Sequence, residues 1–126
     1  MSNKHKKLPL VYSCSGCSSA AQMANDLAVA LDRNEIAEMS CIAGVGGDVK
    51  PLVVTAKSGR NIIAIDGCPL KCVEHCLARH GISPNKHFVL SDYGVKKAFH
   101  GVYDKNEAGE IIADMIAEIK NMNTLF

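Results

Sequence analysis

The chain has 126 residues, enough for one domain with a core of its own. It is 48% hydrophobic and 21% charged, with no Trp and a formal net charge of +1. That balance gives no electrostatic basis for binding nucleic acid or an anionic membrane, and no apolar stretch approaches the roughly 20 residues of a membrane span.

Residues 1–7 end in the basic run KHKK and read as a solvated tail, leaving 8–126 as a single domain. The apolar LPLVY that follows is shorter than the roughly 7 residues a secretory signal core needs, so the expected compartment is the cytoplasm. Residues 8–13 (LPLVYS) read as a first strand. A helical stripe of Ala20, Met23, Ala24, Leu27, Ala28 and Leu31 comes next, with Ser19 and Gln22 spaced as a capping box. Residues 37–44 fit a second strand closed by the glycines of GVGGD. Asp48 is placed to cap a short helix running to Ala56, and Pro51 is tolerated in its first turn.

Residues 61–67 (NIIAIDG) have the apolar run of a strand buried on both faces. Pro69 then suits the first position of a helix that Gly81 ends. Residues 87–92 (HFVLSD) read as a fourth strand. Ala108, Ile111, Ile112, Met115, Ile116 and Ile119 mark a closing amphipathic helix. Strands alternating with helices predict a small three-layer α/β domain on a mainly parallel four-stranded sheet, of Rossmann-like or flavodoxin-like type.

Six cysteines in a cytosolic chain need a reading other than disulfides, either metal ligands or redox thiols. In a parallel sheet all strand-to-helix turns share the carboxyl edge. That edge would gather Cys14 and Cys17 after the first strand, Cys41 near the end of the second, and Cys68 and Cys72 after the third. Two local pairs on neighbouring turns match the four ligands of a structural zinc, and helix N-termini favour thiolates.

The plainer readings stand beside this one. Cys41 alternates with Met39 and Ala43, so packing on a strand face explains it as well as ligation does. Cys76 lies one helical turn beyond Cys72, farther from the rim. His75 suits a helix surface better than a further ligand position, and His80 suits a contact with a helix C-terminus. Gly44 to Gly47 complete no phosphate-loop motif and read as a tight turn. Asp66 fits orienting a ligand or an ordinary helix cap equally. No Ser/His/Asp order or carboxylate pair marks catalytic machinery. A thiol redox or sulfur-handling enzyme using Cys14, Cys17 and Cys68 is the alternative, and an iron–sulfur protein a second one.

At IDGCPLKC the chain resembles the DGC domain family, described as zinc-binding and named for its central Asp-Gly-Cys motif. YSCSG, MSCIAGVGGDV, IAIDGCPLKC, HGI and LSDYGVKK all occur here in that family's order. The resemblance implies zinc as cofactor and Cys14, Cys41, Cys68 and Cys72 as chelating residues. Cys17 and Cys76 are additions to the common pattern; Cys17 stays in the candidate set because its spacing lets it exchange with Cys14. No reaction comes with the family.

Overall fold

The structure, a computed structural model, describes residues 4–125. Its sheet is built from β1 (Leu10–Ser13), β2 (Glu38–Met39), β3 (Ile62–Asp66) and β4 (Lys86–Val89). All the pairings are parallel and the order is β2-β1-β3-β4. The helices are α1 (Ser19–Arg33), α2 (Ile42–Gly46), α3 (Lys50–Ala56), α4 (Cys72–Ala78) and α5 (Lys105–Leu125).

Alternation along the strands divides the core in two. Val11, Ile63, Ile65 and Phe88 pack against α1 and α5, through Met23, Leu27, Leu31, Met115 and Ile119 among others. Leu10, Tyr12, Ile62 and Ala64 face the other way, onto Val45 of α2, Ala56 of α3, and Val73 and Leu77 of α4. Every residue of β3 is buried. That is why its sequence is an unbroken apolar run: a central parallel strand has no solvent face. The chain leaves β1 for β2 on one side and then crosses to β3 on the other. The carboxyl ends of β1 and β3 therefore border the crevice where doubly wound sheets bind ligands, and the order 2-1-3-4 is compatible with a flavodoxin-like domain.

Several local expectations are corrected. The second strand stops at Met39, and residues 42–46 are helical. Met39 donates its backbone N–H to Asp32 Oδ2 at 2.8 Å, which closes the outer edge of β2. Cys41 is consequently the N-cap residue of α2, exposed, and not part of a strand face. The apolar run there is too short for its periodicity to separate strand from helix. Asp48 does not cap α3, which begins behind Val49; it sits at φ 63° and pairs with Arg79 and His80. Pro51 does lie in the first turn of α3.

Pro69 precedes α4 instead of opening it, because the helix starts at Cys72 behind a left-handed Lys71. β4 ends at Val89 and gives way to a 3-10 turn, Leu90–Tyr93. Ser18, not Ser19, caps α1, accepting from Ala21 N at 3.1 Å, while Gln22 turns out to Gly16 O. Residues His5–Lys7 form a 3-10 turn. Arg60 holds this segment by donating to the His5 and Leu8 carbonyls and to the buried Glu38 carboxylate at 2.8 Å. Among the described residues no helix is long and apolar enough to cross a membrane.

Candidate functional site

Cys14 is the first residue past β1, and its N–H still donates to Ile65 O at 3.1 Å, as if the ladder ran one step further. Its side chain is thereby aimed along the crevice toward the β3–α4 turn. There Gly67 N–H donates to Cys14 Sγ at 3.2 Å. Gly67 is required by space: a Cβ at this position would lie 2.7 Å from the Ala20 carbonyl carbon and oxygen. The turn between β3 and α4 thus rides directly on the backbone of α1. Cys68 follows, with Lys97 Nζ donating to its sulfur at 3.8 Å. Cys72 opens α4.

Cys68 and Cys72 both lie within electrostatic reach of Cys14. Burial, reinforced by the charges of Asp66, Cys72 and Cys68, pushes the Cys14 thiol up to about 11 against the opposing pull of the Gly67 amide. Cys76 is half-buried one turn further along α4, where its sulfur faces Gly46 of α2. Burial and the Cys72 and Asp66 charges raise its thiol as well.

Asp66 ends β3 and is 1% exposed. Its Oδ1 accepts Val73 N–H at 2.8 Å and its Oδ2 accepts Glu74 N–H at 3.4 Å, so it caps the first turn of α4. The same Oδ2 accepts His87 Nε2–H at 2.7 Å, and His87 Nδ1 stands 3.1 Å from Glu74 Oε2. Sequence reasoning placed Asp66 but missed His87 and Glu74. The signal was available in the register: Ala64 pairs with His87, which puts the histidine on the sheet face that also carries Asp66. Lys97 was missed as well, because it comes from the segment between β4 and α5. That segment is tied down by Ser19 N–H to Ala98 O and Ala98 N–H to Ser19 Oγ.

The remaining expected residues stand apart. Cys41 is exposed and borders a groove of about 770 Å³ with Ser13, Ser15, Asn25 and Ile42. Cys17 is exposed in the β1–α1 turn, and His75 is exposed on α4. His80 accepts its helix-terminus role from a different helix than its own, with Nε2 2.8 Å from Val45 O of α2. The glycines 44 and 46 lie inside α2, and Gly47 closes it. Among the described residues no three Cys, His, Asp or Glu side chains converge closely enough to hold a metal ion. Cys14, Cys68 and Cys72 are carried by two adjacent turns, and Cys41 comes next along the rim on the β2 side of Cys14.

The fold and the rim together define a small, all-parallel α/β protein with thiols concentrated at its switch-point crevice. The DGC domain family model matches residues 10–115, and the chain belongs to that family. It is also 56% identical, over 108 residues, to the anaerobic and virulence modulator AnvM of Pseudomonas aeruginosa, covering 86% of this chain and 82% of that protein. No solved structure matches the chain at a significant level.

Proposed function

We propose that this protein binds one zinc ion through thiolates at the carboxyl rim of its sheet. Cys14, Cys68 and Cys72 form the core of the set and Cys41 is the fourth ligand. The observation that carries the reading is the meeting of the β1–α1 and β3–α4 turns, where Gly67 N–H contacts Cys14 Sγ at 3.2 Å and three thiols share one electrostatic field. The choice of Cys41 over Cys17 rests on the family resemblance. Zinc held by these thiolates would crosslink the two turns as a structural centre. The chain's own contribution is to aim Cys14 across the crevice and to hold the α4 turn through Asp66. The relative's description as an anaerobic and virulence modulator supports a regulatory role for the protein.

The test is elemental analysis and X-ray absorption on protein purified without oxygen. The reading expects about one zinc per chain with sulfur neighbours at about 2.3 Å. Nitrogen- or oxygen-dominated coordination would refute the thiolate set. One observation favours a second reading, thiol redox or sulfur handling centred on Cys68: Lys97 Nζ donates to its sulfur at 3.8 Å, which sets a cation beside this thiol. Metal-free protein with a rapidly alkylated Cys68 would support it. A brown protein with iron and labile sulfide would instead establish a cluster.

A further inference from the structure

We infer that His87 is a positioning residue for the thiol rim: with Asp66 it forms a latch that holds the turn bearing Cys68 and Cys72 in place. The proposal rests on the thiolate reading for its effect on metal, but the latch itself is a matter of geometry.

The turn from Gly67 to Lys71 has little to fix it from within. It contains one backbone hydrogen bond outside the helix, Lys71 N–H to Cys68 O at 3.2 Å. It ends on Lys71 at φ 54°, a left-handed conformation that a non-glycine residue adopts only at a cost. Such a residue persists only where its surroundings over-determine it. The over-determination comes from Asp66, whose carboxylate takes two backbone amides of α4 just beyond the strained residue. The His87 ring braces the carboxylate in that orientation by donating to Oδ2 at 2.7 Å. The other ring nitrogen stands 3.1 Å from Glu74 Oε2, so the ring sits between the sheet and the first turn of α4.

His87 belongs to β4, whose own backbone is already paired with β3 at Ala64. The anchor is therefore rigid and independent of the turn it restrains. A ring that holds a ligand-bearing turn through a carboxylate is the arrangement by which outer groups set the affinity of a metal site. Cys17 and Cys41 lie on other turns and are outside the reach of this latch.

The experiment compares wild type, His87→Leu and His87→Gln. The Gln amide keeps one N–H donor able to reach Asp66, while Leu keeps none. Two quantities are read: site-resolved iodoacetamide alkylation of the metal-free full-length chain, and zinc affinity by chelator competition. In His87→Leu, alkylation of Cys68 and Cys72 should accelerate about tenfold with Cys17 and Cys41 unchanged, and zinc affinity should fall roughly 10–100-fold. His87→Gln should recover most of both. Unchanged alkylation in His87→Leu, or equal acceleration at all the exposed thiols, would overturn the latch, as would failure of His87→Gln to recover. Wild-type protein that binds no zinc would sink the metal reading alone, and the alkylation pattern would still decide the latch.

Discussion

Gly67→Ala places a methyl group against the backbone of α1. The new Cβ would meet the Ala20 carbonyl carbon and oxygen at 2.7 Å and Ala21 N at 2.9 Å, where ordinary contact begins at 3.4 Å. The shortfall is about 0.7 Å, and it cannot be absorbed by a side-chain rotation because the obstacle is helix backbone. Ala20, Ala21 and Ala24 are themselves buried, so α1 cannot shift without disturbing its own packing on the sheet. Overpacking of this kind costs roughly 1–3 kcal/mol, and the loss of unfolded-chain freedom on replacing glycine returns about 0.4–1 kcal/mol. The net expectation is a destabilisation of about 1–2 kcal/mol, read as a lower urea midpoint with an unchanged slope. Because Gly67 N–H is the donor to Cys14 Sγ, zinc affinity should fall as well. Gly46→Ala is the control: its Cβ would press, at 2.9 Å, on the Cys76 sulfur, a side-chain tip that can move, and α2 gains helix propensity. Gly67→Ala within about 0.5 kcal/mol of wild type would refute the claim that this turn rides on α1.

Two further predictions concern groups away from the crevice. Arg60→Met should cost about 3 kcal/mol in denaturant melts by stranding the buried Glu38 carboxylate; adding Glu38→Met should recover most of it, with zinc content unchanged in both. Burial, aided by Glu118, pushes the Tyr93 phenol up to about 12 from its ordinary 10.0. The raised value means the fold favours the neutral phenol, so its contribution is intact below about pH 10 and is lost as pH rises toward 12. An ultraviolet phenolate titration and alkaline denaturation of Tyr93→Phe, which should lack this component, check it; a Tyr93 midpoint at or below 10 would contradict it.

What the sequence made legible was the part governed by burial. Ile62 to Ile65 announced a strand covered on both faces, and the stripe from Ala20 to Leu31 announced α1, since both patterns answer to one dominant force. The meeting of Cys14 with the Asp66-Gly67-Cys68 turn followed from topology alone, because parallel strands deliver their successors to a common edge. The reading failed where short-range alternatives differ by little. Residues 42–46 satisfy a strand or a helix by composition, and in the structure they form α2 behind Cys41. Pro69 reads as the helix start because nothing local reveals that Lys71 turns left-handed two residues later. His87 and Lys97 escaped notice for a related reason: each reaches the rim from another strand or segment, and their roles exist only across the sheet.

The central claim is a thiolate zinc centre built on Cys14, Cys68 and Cys72 with Cys41. Its most direct test is zinc per chain, measured on anaerobically purified wild type and the six single Cys→Ser variants. About one zinc is expected in wild type, Cys17→Ser and Cys76→Ser, with sharp loss in Cys14→Ser, Cys41→Ser, Cys68→Ser and Cys72→Ser, since a hydroxyl is a poor ligand beside thiolates. Loss in Cys17→Ser with retention in Cys41→Ser would contradict the fourth ligand, and full zinc in Cys14→Ser or Cys68→Ser would contradict the centre itself.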